Sequence, residues 1–258
     1  MDAPLEKKRS YVWEILLAGG YFLFFCMACT AGVTFYTFST FPSKNEPVNF
    51  IATDLPPQSP VPHINQADIS DADIIFEERF HDDGNEWRVQ NPDEAVLEVR
   101  DGGLYIQSNY AGAYSIAECR ACPYITEPYF LEVDIETTQA TNAGFGIVFN
   151  MGRIRNVFYL FLVNPEAKEY HIFHHNISGW SRRVSGNSAV IKPFPRVNTL
   201  GIYANGSLVE LYINGEMVDT YSYSEDDVSL HNGYIGLYTN DAGFIMVADN
   251  LIIRKIGE

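Results

Sequence analysis

Apolar and polar positions follow two different rhythms along this chain. The first is an unbroken apolar run, Ile15–Phe38, reading ILLAGGYFLFFCMACTAGVTFYTF, with no charged residue between Glu14 and Lys44. As a helix it would be about 36 Å long, enough to cross a hydrocarbon core of about 30 Å. The second rhythm runs from Ile74 to Ile256, where short apolar strands are cut by turn residues. YFLEVDIE (129–136) alternates strictly, whereas VFYLFLV (157–163) is continuously apolar, as a strand covered on both faces would be. Asp101-Gly102-Gly103, Asn205-Gly206 and Asn214-Gly215 separate such segments. They tolerate the positive φ angles of tight hairpin turns. About twelve or thirteen strands follow from this pattern, and no helix beyond the membrane run. The expected fold is all-β: a two-sheet antiparallel jelly-roll sandwich preceded by one transmembrane α-helix.

The flanks of the apolar run give it a direction. Lys7, Lys8 and Arg9 precede it and only Lys44 follows closely, so the N-terminus is expected in the cytoplasm and the rest outside. A cleaved signal peptide would have an apolar core of about 7–15 residues; this run is longer, which favours an uncleaved signal anchor. Six of the 13 prolines fall within residues 42–62, from Pro42 to Pro62, a composition that reads as an extended spacer. The expected organisation is a cytoplasmic N-terminus (1–11), a signal-anchor helix (12–38), a Pro-rich extracytoplasmic linker (39–73) and a β-sandwich domain (74–258). The domain's roughly 185 residues suffice for one well-buried core.

Charge narrows the partners. Lys+Arg 17 against Asp+Glu 33 gives a net charge of −16, which excludes nucleic acid as an expected ligand because its phosphates would be repelled. The expected partners are the membrane, through residues 12–38, and a glycan or a neighbouring subunit of a membrane complex. Cys119-Arg120-Ala121-Cys122 has no second CxxC outside the membrane run, where Cys26 and Cys29 read as apolar filler, to complete a zinc site, and no βαβ setting for redox chemistry. A structural disulfide between Cys119 and Cys122 is expected outside the cytoplasm.

The order IIFEERFHDDGNEW, GFGIVFN, NVFYLFLVNPEAKEYHIF, NTLGIYANGSLVELYINGEMV and GYIGLYTNDAGFIMVADNLII resembles the concanavalin A-like lectin/glucanase jelly rolls. It is most similar to laminin-G-like and 3-keto-disaccharide hydrolase-type domains. The resemblance covers residues 74 to 256 and implies a fold that serves lectins, hydrolases, adhesion modules and spacers alike.

Glu132-Val133-Asp134-Ile135-Glu136 resembles the Glu-x-Asp-x-Glu strand of family-16 glycoside hydrolases. The resemblance implies Glu132 as nucleophile, Asp134 as its assistant and Glu136 as acid/base. Strand alternation puts the three carboxylates on one face and Leu131, Val133 and Ile135 on the core face. The same alternation arises in any half-exposed strand of an acidic protein, and the preceding ITEPYF lacks the Trp- and Gly-containing approach of the enzymes. The preferred reading is therefore a binding module rather than an enzyme.

The segment EYHIFHHNISGW gathers Tyr170, His171, His174 and Trp180, and reads as a ligand-facing hairpin in which Trp stacks a sugar ring and polar groups bond its hydroxyls. Asp82, Asp83 and Glu86 from the opening turn, with Asp249 near the end, supply oxygen donors for a structural calcium ion. Solvated acidic turn residues are the other reading of that group, and no cofactor beyond calcium is suggested.

Overall fold

The computed structural model describes residues 64, 66–81, 86–89, 93, 95–109, 114–153, 156–222, 233–240 and 245–257. The expected membrane run and the Pro-rich segment lie outside the described residues, as do Asp82 and Asp83. Among the described residues no helix is long and apolar enough to cross a membrane.

The described chain is all-β apart from one short helix. The strands are β1 (Asp73–Glu78), β2 (Trp87–Val89), β3 (Ala95–Arg100), β4 (Gly103–Ser108), β5 (Tyr114–Cys119), β6 (Tyr129–Thr137), β7 (Phe145–Met151) and β8 (Phe158–Asn164). They continue with β9 (Glu169–Asn176), β10 (Gly179–Asn187), β11 (Asn198–Asn205), β12 (Leu208–Ile213), β13 (Glu216–Ser222), β14 (Tyr234–Asn240) and β15 (Ile245–Lys255). Sheet A has the order β13-β12-β11-β6-β15-β4-β3, with β1 paired to the far end of β15. Sheet B has the order β10-β9-β8-β7-β14-β5-β2, and every pairing in both sheets is antiparallel. The jelly-roll sandwich expected from the alternating pattern is the fold.

Three strands escape that pattern. β10 (GWSRRVSGN) has no apolar alternation because its inward positions include Ser181 and Gly186 and a register shift between Arg182 and Val184 breaks the period. The other two are β2, of only three residues, and β5, which runs into the cysteine motif. All three are specified by their partners: β10 by the hairpin with β9, the others by pairing across β5.

The turns follow local chemistry. Asp101 and Gly102 have φ of 52° and 78°, and Asn214 and Gly215 have 54° and 82°, the positive pairs of a type I′ turn. At the β11–β12 turn only Gly206 is positive, at 57°, so Asn205 closes the strand and the turn turns on the glycine.

The core lies between the sheets. Leu131, Val133 and Ile135 of β6 are fully buried there, facing Phe145, Ile147, Phe149 and Phe161 from sheet B within one continuous cluster. Each such side chain contributes about 1.5–3 kcal/mol on leaving water. The sheets are also stitched by Tyr170, whose hydroxyl reaches Val218 O at 3.1 Å and Asp219 Oδ2 at 3.2 Å.

A second, smaller apolar cluster lies outside sheet A. Helix α1 (Gln66–Ser70) lays Ile69 against Phe130, Tyr203 and Ile256, with Ile64, Ala72 and Tyr212 around them. Its single turn is closed by Ser70 Oγ donating to Ala67 O at 2.8 Å. The stretch read as polar linker up to residue 73 is thus in part a docked strap. Ile69, the one large apolar side chain of its helix, was too isolated to produce a helical period.

Candidate functional site

Strand parity decides which side chains of the β9–β10 hairpin face outward. Cross-strand pairs place Trp180 opposite His175, Arg182 opposite Phe173 and Ser185 opposite His171 on the outer face of sheet B. The intervening positions face the core: His174 stands opposite Ser181, and Tyr170 opposite Gly186. Tyr170 and His174 are therefore corrected from ligand-facing to interior. His174 is 4% exposed, stacks on Tyr159 at 4.6 Å and takes a hydrogen bond from Arg183 Nη2 at 3.1 Å. Tyr170 is occupied in joining the sheets. Alternation with period 2 excludes both from the face that carries His171 and Trp180.

Trp180 is half-buried at the centre of an aromatic cluster. Its indole lies 4.7 Å from the His175 ring, 5.3 Å from Tyr114, 5.5 Å from Phe158, 6.0 Å from Tyr238 and 6.1 Å from Phe173. The contacts are edge-on, the arrangement aromatic rings prefer. Tyr238 belongs to β14, four strands from β10. On a flat sheet that step would be roughly 19 Å, at about 4.8 Å per strand. A ring separation of 6.0 Å therefore requires the sheet to curl, with its outer face on the concave side. Two glycines let neighbouring strands of the sheet approach closely there. A Cβ at Gly146 would lie 1.9 Å from Phe161 O, and one at Gly236 2.9 Å from Ala117 O.

Polar groups ring this hollow. His171 Nδ1 lies 3.0 Å from Ser185 Oγ, and its Nε2 is 3.8 Å from Glu169. His175 Nδ1 donates to Asn156 O at 3.0 Å. Burial holds both imidazoles below their ordinary value of 6.5, and Arg182 pushes His171 in the same direction. Burial, with Tyr114 beside it, raises the Tyr238 phenol well above its ordinary value, so it stays a neutral hydroxyl. Sequence reading missed Tyr114, Phe158, Phe173, Arg182 and Tyr238 as parts of this face. The parity of 171, 173 and 175 was available to find Phe173; the others come from strands brought together only by the sheet.

The carboxylate motif lies on the opposite side of the molecule. Glu132, Asp134 and Glu136 share the outer face of sheet A. Arg254 Nη1 donates to Glu132 Oε1 at 2.6 Å. Asp134 accepts from Thr199 Oγ1 at 2.5 Å through Oδ1 and from Asn250 Nδ2 at 3.1 Å through Oδ2. Asp134 and Glu136 line an open depression of about 290 Å³ with Tyr105, Asp101, Asp249 and Asn250.

Of the proposed calcium donors, only Glu86 and Asp249 are among the described residues. Glu86 precedes β2 in sheet B, whereas Asp249 sits in β15 of sheet A. Among the described residues no group of three or more His, Cys, Asp or Glu is arranged to hold a metal ion. Cys119 and Cys122 are joined by a disulfide with Cα atoms 5.4 Å apart, both buried, and Cys122 N donates to Cys119 Sγ at 3.0 Å.

Comparison with protein families finds no match, and comparison with curated proteins finds none either. Solved structures do resemble the sandwich. A carbohydrate-binding module, CBM66, from Bacillus subtilis matches 66% of this chain and 96% of its own, with 16% identity and a TM-score of 0.54. A Bacillus subtilis protein of unknown function with a galectin-like fold matches 70% and 96%, with 11% identity and a TM-score of 0.57. An endo-β-1,3-glucanase from Pyrococcus furiosus matches 72% and 95%, with 11% identity and a TM-score of 0.55. At such identities the likeness concerns the fold alone: the chain carries a concanavalin A-like jelly-roll sandwich.

Proposed function

We propose that this protein is a membrane-anchored, extracytoplasmic carbohydrate-binding module, without hydrolytic activity, that takes its ligand on the concave outer face of sheet B. The observation that carries the reading is Trp180, half-buried and braced by five aromatic rings at the centre of that hollow. A rigid, half-buried indole is a surface on which a sugar ring can stack, and His171 and Ser185 stand on the same face to bond hydroxyls. The similarity in fold to a carbohydrate-binding module supports the reading. The apolar run 15–38 and the basic residues before it support the anchor and its orientation. The buried disulfide supports an oxidising compartment for the domain.

The test is a glycan array probed with the full chain in non-ionic detergent. Binding to a sugar class, lost by at least tenfold in Trp180→Ala while the thermal transition remains cooperative, is expected. A folded chain that binds no glycan, or binds equally well without the indole, overturns the proposal. Stoichiometric co-purification with other membrane proteins would then assign it as an accessory subunit.

A further inference from the structure

The charges of this protein are sorted by sheet. The strands of sheet A carry eleven acidic residues against Arg100, Arg254 and Lys255. The strands of sheet B carry only Glu118 and Glu169 against Arg88, Arg182 and Arg183. The inner faces form an apolar core, so this imbalance is expressed outside. A chain of net charge −16 thus presents its concave face with the negative charge removed.

The arginines on that face are placed in register. Arg182 pairs with Phe173, Phe173 with Leu160, and Leu160 with Val148. The row continues through Gly236 and Glu118 to Arg88. One cross-strand row therefore spans the face, with a floor that is apolar from Phe173 to Gly236 and an exposed arginine at each end. The two ends differ. Arg88 stands opposite Glu118, which is 1% exposed, so a buried carboxylate offsets its charge. Arg182 has an apolar partner, Phe173, and lies two residues from Trp180 on the same outer face. Glu169 on β9 is held towards His171 instead.

We propose that the ligand is an acidic sugar, one bearing an isolated carboxylate, whose ring stacks on Trp180 and whose carboxylate is taken by the Arg182 guanidinium. This rests on the carbohydrate reading of the sheet B face and names its ligand class. An arginine fork beside an indole recognises a planar anion and a sugar face together. The rest of the molecule sets an upper limit on ligand charge. A dense polyanion would bring its remaining charges against a strongly acidic protein, whereas an isolated carboxylate meets only the local arginine.

The experiment measures affinity of the full chain, in non-ionic detergent, for neutral oligosaccharides carrying a single galacturonate, glucuronate or mannuronate residue, their carboxyl-reduced neutral counterparts, and heparin. At least one uronate is expected to bind tenfold or more tighter than its neutral counterpart, with heparin weaker. Arg182→Gln is expected to bring acid and neutral forms to within about twofold of each other, a loss of about 1 kcal/mol of discrimination. Equal binding of acid and neutral forms overturns the ligand class while leaving carbohydrate binding intact. So does a preference that survives Arg182→Gln, or heparin binding tightest. No binding of any sugar by a cooperatively melting chain overturns both readings together.

Discussion

Arg254 Nη1 donates to Glu132 Oε1 at 2.6 Å, tying the last strand of the chain to β6 across the outer face of sheet A. A carboxylate that resembles a glycosidase nucleophile is thereby engaged in holding two strands together. Asp134, two residues on, does the same with Thr199 of β11 and Asn250 of β15. The motif reads in this fold as three outward carboxylates, two of them bonded to neighbouring strands.

Glu132→Gln and Arg254→Met should each lower stability by about 1 kcal/mol, the range of a half-exposed, charge-assisted pair. The double variant should cost less than the two singles added, as a cycle of urea denaturations would reveal. Neither the wild type nor Glu132→Gln is expected to turn over β-glucan. Turnover by the wild type that disappears in Glu132→Gln would reverse the assignment to binding.

Ile69→Ala should cost about 2 kcal/mol, at the lower end for a large-to-small change because the site sits at the periphery of the fold. Ile69 is the residue through which α1 contacts Phe130, Tyr203 and Ile256. Hydrogen exchange should show amides near residues 66–72 losing protection in the variant while those of β6 retain it. Unchanged protection in α1 would contradict the strap.

Replacing Cys119 and Cys122 together with Ala should lower the unfolding free energy by about 2 kcal/mol, the loop-entropy value for a short ring. The sulfurs lie in the core, so the melting temperature should fall with no change in far-UV circular dichroism. Equal stability of wild type and variant under oxidising conditions would show that the disulfide is absent in solution.

Acid should weaken the fold before the ordinary carboxylates titrate. Burial holds His171 and His175 below 6.5, outweighing Glu169 at the first and the Asn156 carbonyl at the second. The unfolded chain therefore takes up protons first as pH falls. The contribution of the two neutral imidazoles is complete above about pH 6.5 and is lost as pH drops through their lower folded values. The melting temperature should decline between about pH 7 and pH 5, and less steeply in His171→Gln/His175→Gln. Parallel pH profiles for the two proteins would contradict this origin.

What local sequence can encode, it encoded here. The alternation in YFLEVDIE put Leu131, Val133 and Ile135 inside and the carboxylates outside, because period 2 is a property of a single strand. The hairpins at Asp101-Gly102 and Asn214-Gly215 follow from residues that accept positive φ. Tertiary pairing decided the rest. That β6 lies between β11 and β15, with Arg254 over Glu132 from 122 residues away, is a non-local register no strand carries in its own sequence. The aromatic hollow likewise joins Tyr114, Phe158, Trp180 and Tyr238 from four strands, and only the curl of a sheet built from distant segments brings those rings into contact.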